Sequence, residues 1–198
     1  MKLESKTRTR FKTSPEYKEL KQESDLFKRR MFFLAFYTQK LKENGVDAIL
    51  VGGEAIDLYT AGSFASADID LVVNNKVITE KLLNRFGFAK QENTLWFNDD
   101  LNIVVQVIPE SYTGDTEKLR KFKLKEYEIR VAAPEDLIAK RLYSMKFWKS
   151  NPKLEFEQSV ALLALFSDSI DNQYLNRLAR KDDTEDVLAE ARKYAAEA

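Results

Sequence analysis

Hydrophobic and polar positions along this chain change rhythm repeatedly, and each change marks an element. Short apolar runs bounded by turn residues cover Asp47–Val51, Ala67–Val73, Phe88–Phe97, Leu101–Ile108 and Glu126–Ala132, and they predict strands. Around them apolar residues recur at helical spacing. Ser14-Pro15-Glu16 offers an N-cap, a first-turn proline and a first-turn acid. A helix is predicted from there to Glu43, with a break near Ser24-Asp25 and a C-cap at Asn44-Gly45. A short helix is expected from Glu54 to Ala61, and another from Asn74 or Asn75 to Phe86, ended by Gly87. Asn98-Asp99-Asp100 between two strand runs predicts a hairpin. The charged segment Asp115–Lys125 is expected to contain a short helix. From Pro134 the pattern is helical to the end. One helix reaches about Trp148, and after the Asn151-Pro152 break come Glu155–Phe166, Asn172–Arg180 and Thr184–Glu197.

Strands joined partly by helices and partly by a hairpin predict an α/β (α+β) fold, a mixed sheet flanked by helices. We divide the chain into an N-terminal basic tail and helix (residues 1–45), a core (46–133) and a C-terminal helical region (134–198).

The predicted strand Ala67–Val73 carries two aspartates, Asp68 and Asp70. Residues i and i+2 of a strand share a face, so the two carboxylates stand together while Ile69 and Leu71 take the other side. Like charges so placed repel unless a cation neutralises them, and a hard divalent ion such as magnesium prefers oxygen ligands. Just upstream, Gly52-Gly53 joins a strand to a helix, a junction that exposes backbone N–H groups at a helix N-terminus and suits a phosphate. Metal-binding carboxylates beside a phosphate cradle point to phosphoryl or nucleotidyl transfer.

Composition narrows the chemistry further. The chain has 198 residues, enough for one well-buried domain or one domain with a small appendage. It contains no histidine and no cysteine. That excludes disulfides, thiolate zinc sites, Ser–His or Cys nucleophiles and histidine acid–base catalysis. Net charge is zero, so overall charge does not advertise nucleic-acid binding. The first thirty residues hold ten cations and five acids, a local excess of +5. No apolar run approaches membrane-spanning length and no signal peptide is evident, so a cytoplasmic protein is expected.

The segment Val51-Gly52-Gly53 … Ser66-Ala67-Asp68-Ile69-Asp70-Leu71 resembles the signature of the DNA polymerase β-like nucleotidyltransferase superfamily. Fifteen positions separate Gly53 from Asp68, similar to small Gly-Gly members such as the abortive-infection nucleotidyltransferase toxins. Pro134–Lys140 looks like the helix opening that often follows the core in that group, and the resemblance covers roughly residues 45–165. It implies that Asp68 and Asp70 ligate Mg2+ or Mn2+ and act in catalysis, and that a nucleoside triphosphate is the substrate. It implies further that Gly52 and Gly53 approach the triphosphate, that Ser66 touches a phosphate oxygen, and that Lys140 or Arg141 faces the leaving pyrophosphate. A third carboxylate usually comes from a later strand. Here Leu101–Ile108 offers Gln106 at that place, with Glu110 as backup; Asp99 and Asp100 lie in the turn, and Glu54 is another acid near the cleft.

Three readings stay open: a transferase acting on a hydroxyl of RNA, protein or a small molecule; a lapsed nucleotide-binding module; and a toxin–antitoxin-like interaction protein, paired with itself or a small partner. Trp96, Phe97, Phe147 and Trp148 read first as core and second as groups that stack on a base.

Overall fold

The computed structural model describes residues 11–197; residues 1–10 of the basic N-terminal segment lie outside the described part. Helix α1 spans Pro15–Gln22 and α2 Leu26–Glu43. Ser14 caps α1 by accepting from the Tyr17 N–H at 3.2 Å, and Asp25 caps α2 through the Lys28 N–H at 3.1 Å, so the expected break falls between the two. Helix α2 buries one long face of aromatic and aliphatic side chains. Phe33 stacks on Tyr37 at 5.4 Å and meets Phe88 at 4.9 Å, while the buried Tyr37 hydroxyl donates to the Thr79 carbonyl at 2.9 Å. Each such ring contributes roughly 1.5–3 kcal/mol by leaving water.

Seven strands form one mixed sheet: β1 (Ala48–Val51), β2 (Ile69–Val73), β3 (Ala89–Lys90), β4 (Leu95–Asn98), β5 (Ile103–Ile108), β6 (Arg120–Leu124) and β7 (Tyr127–Val131), in the order β3-β4-β5-β2-β1-β7-β6. β1 runs antiparallel to β2 and parallel to β7, and β2 runs parallel to β5. The outer pairs are antiparallel. Alternation decides the faces. Ile69, Leu71 and Val73 of β2 and Ile103, Val105 and Val107 of β5 are buried, and the residues between them are only half-buried.

Helices α3 (Gly52–Tyr59) and α4 (Lys76–Arg85) sit between strands in sequence. α5 (Pro134–Tyr143), α6 (Pro152–Leu165), α7 (Asn172–Lys181) and α8 (Glu185–Glu197) follow the sheet. The mixed sheet with helices is the expected fold class. Several boundaries differ from the sequence reading. The run Phe88–Phe97 divides into β3 and β4 around a turn. The charged segment 115–125 holds the short helix expected of it, a 3-10 turn at Thr116–Lys118, but Arg120–Leu124 is an edge strand; cations on an edge hinder pairing with another chain. The helix expected to reach Trp148 stays α-helical only to Tyr143 and continues as a π-helical turn, Ser144–Trp148.

The chain divides into two compact units. The first takes residues up to Ala55, 65–113 and 120–131, and holds the whole sheet. The second takes 56–64, 114–119 and 132 onward, and holds α5 to α8. In the second unit the buried Glu135 carboxylate accepts from the Asp171 N–H at 2.7 Å, at the N-cap of α7. The Tyr174 hydroxyl donates to Asp136 at 2.5 Å and accepts from the Asp115 N–H at 3.1 Å. Burial, and then the Asp136 carboxylate, push the Tyr174 phenol well above its ordinary range. Among the described residues, no helix is long and apolar enough to cross a membrane.

Candidate functional site

The end of β1 and the start of β2 build the candidate site. Their antiparallel register sets Val51 opposite Asp70, and the next residue, Gly52, turns the chain into α3. Gly52 has φ +69°, a left-handed conformation that side chains other than glycine's resist. Space demands glycine as well. A Cβ at Gly52 would stand 1.9 Å from Asp70 Oδ2 and 2.8 Å from its Cγ. The Asp70 carboxylate therefore lies directly against the glycine turn.

Helix α3 opens at Gly52, two residues earlier than expected, so Gly52, Gly53 and Glu54 form its first turn. Backbone N–H groups there have no partner within the helix, and with the helix dipole they favour an anion. Glycine at this turn lets a ligand approach the backbone closely.

Asp68 is half-buried and precedes β2. It lies in the bend just before the strand, two residues ahead of Asp70 in sequence. The Ser66 hydroxyl donates to the Asp68 carbonyl at 3.2 Å, so it serves the loop that leads into β2. That loop begins with Ala65 at φ 52°, a left-handed conformation that costs an alanine roughly 1–2 kcal/mol.

Parallel pairing of β2 with β5 sets Gln106 beside Asp70. Neighbouring strands lie about 4.8 Å apart and paired residues share a face, so the Gln106 amide belongs to the same surface as the Asp70 carboxylate. Glu110 is exposed and lies past the end of β5. Asp100 is engaged by the Lys12 ammonium, by the Tyr17 hydroxyl at 3.2 Å and, through its carbonyl, by Lys21 at 2.6 Å. Glu54 is fully buried, and Arg30 Nε donates to its Oε1 at 2.8 Å. Glu54 is thus committed to an ion pair behind the glycine turn.

Among the described residues, no three His, Cys, Asp or Glu side chains gather as a metal-holding group. What stands at the turn is the Asp70 carboxylate against glycine, with the Gln106 amide beside it on the adjacent strand and Asp68 two residues earlier in sequence. Those oxygen donors suit one hard cation.

Sequence reasoning missed Arg30, whose partner lies 24 positions away and is set by packing. The one signal was a charge entering the apolar run Met31–Tyr37. Lys140 belongs to the second unit, on α5, where its ammonium lies 4.7 Å from the Trp148 ring centroid and 5.8 Å from that of Tyr143. Of the four aromatics read as core, Trp96 is buried, but Phe147 and Trp148 are 45% and 59% exposed. They sit in the π-helical turn, whose changed periodicity takes Trp148 off the buried face of α5, while Phe147 continues the exposed side that carries Lys140.

No family model and no curated protein sequence matches the chain. Solved structures do. An antigenic nucleotidyltransferase-like protein from Paracoccidioides brasiliensis is similar with a TM-score of 0.56 at 16% identity, over 81% of this chain and 90% of that one. The antibiotic-resistance factor ANT(2'')-Ia is similar with a TM-score of 0.52 at 13% identity, over 81% and 95%. The chain therefore has the nucleotidyltransferase-like fold.

Proposed function

We propose that this chain is a metal-dependent nucleotidyltransferase, moving a nucleoside monophosphate from a triphosphate to a hydroxyl acceptor. The observation that supports the reading is the contact of the Asp70 carboxylate with Gly52, because a candidate cation ligand there adjoins a candidate phosphate seat. Asp68 and Asp70 would hold Mg2+ or Mn2+, with the Gln106 amide oxygen completing the set from β5. When bound, the ion neutralises triphosphate charge and polarises the reacting phosphate. The N–H groups opening α3 receive phosphate oxygens, and Gly52 and Gly53 let them come close. A bond forms between the acceptor oxygen and the α-phosphorus as the bond from α-phosphorus to the bridging oxygen breaks and pyrophosphate leaves. The chain has no histidine, so the acceptor's proton passes to water or to a carboxylate.

The test incubates the full chain with labelled triphosphates and Mg2+ or Mn2+, against RNA, protein and small hydroxyl acceptors. Label transfer by the wild type and its loss in Asp70→Asn support the reading; no transfer with any combination overturns it. Gln106 favours a second reading, a nucleotide-binding module whose chemistry has lapsed, because an amide cannot supply the charge of a shared carboxylate. That reading predicts triphosphate binding by calorimetry without turnover, and turnover gained in Gln106→Asp.

A further inference from the structure

The end of α5 carries a surface that the proposed transfer chemistry does not use. The π-helical turn Ser144–Trp148 closes with the Lys149 N–H bonded to the Ser144 carbonyl at 2.9 Å, a five-residue step. In an uninterrupted α-helix Trp148, four residues after the buried Ser144, would share its buried face. The wider turn moves Trp148 off that face, and Lys149 ends it in a left-handed conformation, φ 55°. Phe147 and Trp148 emerge side by side, 45% and 59% exposed. Tyr143 braces both, with ring centroids 4.8 Å from Phe147 and 5.8 Å from Trp148. The exposed Lys140 and Lys149 make no ion pair among the described residues, and Lys140 lies over the Trp148 ring at 4.7 Å.

The charge beside these rings is one-sided along the sequence, and in the fold the acids Asp183 and Asp186 meet Lys146 next to Phe147, at 3.7 and 2.9 Å. Residues 137–154 hold five cations and no acid, in a chain whose net charge is zero. Of these, Lys146 is taken up by Asp183 and Asp186, while Lys140 lies over the Trp148 ring and Lys149 follows that residue in the chain. Exposed aromatic faces beside cations suit a polyanion with flat bases, because bases stack on the rings while lysines follow the phosphates. Protein interfaces are depleted of lysine, which argues against a protein occupant. Stacking needs bases free of a duplex, and RNA shows those in its loops and ends. We infer that the Phe147–Trp148 platform, with Lys140 and Lys149, binds single-stranded RNA. This surface stands whether or not the transferase reading holds.

Fluorescence anisotropy of the full chain with a labelled twelve-nucleotide single-stranded RNA tests it. Trp148→Ala is expected to weaken binding about 5- to 150-fold, the range for losing one stacked base. The side chain is exposed, so an unchanged melting temperature confirms that the variant folds. In a Trp96→Phe background, RNA should quench the remaining Trp148 emission, a readout that charge attraction alone does not move. The K140E/K149E variant should flatten the plot of log affinity against log salt by about 1.4, roughly 0.7 for each phosphate deprived of its lysine. Four results would overturn the proposal: no binding at 100 µM protein; equal binding by Trp148→Ala; duplex RNA or single-stranded DNA bound more tightly than single-stranded RNA; or a labelled polyglutamate peptide bound as tightly as RNA.

Discussion

Gly52 and Gly45 form an internal control for the geometry at the glycine turn. Both hold left-handed backbone, φ +69° and +71°. A Cβ at Gly45 meets nothing within 4 Å, whereas one at Gly52 would overlap Asp70 Oδ2 at 1.9 Å. Alanine at either position costs about 1–2 kcal/mol for the conformation, less about 0.4–1 kcal/mol gained by restricting the unfolded chain. Only Gly52→Ala adds a clash, worth about 1–3 kcal/mol if the surroundings resist and less if the carboxylate swings away. With 1.9 Å to Oδ2, either the turn or the carboxylate must shift, and either shift separates Asp70 from the turn. Urea unfolding should therefore show Gly52→Ala less stable than Gly45→Ala. Mn2+ titration should show at least a tenfold loss of affinity in Gly52→Ala and none in Gly45→Ala. In an Asp70→Ala background the clashing Oδ2 and Cγ are gone, and only the Asp70 Cβ remains, 3.0 Å from the new methyl. There the extra cost of Gly52→Ala should shrink towards that of Gly45→Ala, the sign of direct coupling. Equal stability of the two single variants, with Mn2+ affinity kept in both, would refute the placement of the carboxylate and the cation site built on it.

Two further predictions concern the supports of the first unit. The Arg30 and Glu54 side chains are 10% and 0% exposed, so Arg30→Met strands a buried charge at a cost of about 3–5 kcal/mol, while R30M/E54L should recover much of it; a loss under about 1 kcal/mol in urea unfolding would show that the pair carries no buried charge. Asp100 anchors α1 to the hairpin turn, and Lys12 leads in holding its carboxyl below the ordinary value of 3.8. A folded-state value below the unfolded one gives stability that is present above about pH 4 and lost as pH falls through the folded value. Hydrogen exchange of the α1 amides should stay slow from neutral pH to about pH 4 and then quicken relative to α2, and Asp100→Asn should reproduce the release at pH 7.

Much of the first unit is readable because one-sided burial leaves a period of two. β2 and β5 alternate buried and half-buried residues from end to end, and the Asn98-Asp99-Asp100 turn falls where the pattern breaks. β6 is hidden because an edge strand in water keeps its cations, and a run of charge shows no strand alternation. The π-helical turn is hidden because five-residue hydrogen bonding follows from local packing, and nothing in Ser144–Trp148 announces it. Arg30 is hidden because a residue's partner 24 positions away depends on how a helix lands.

The candidate site divides along the same line. The residue types are visible, but which ones meet is a question of register. A one-residue slip of β5 against β2 would bring Val105 or Val107 to Asp70 and turn the buried set Ile103, Val105 and Val107 outward. Each of those side chains is worth roughly 1.5–3 kcal/mol when buried, so a slip would forfeit several kcal/mol. The apolar face of β5 thereby fixes a polar pairing on its other face, and Gln106 stands beside Asp70 because three hydrophobic neighbours leave it no other place.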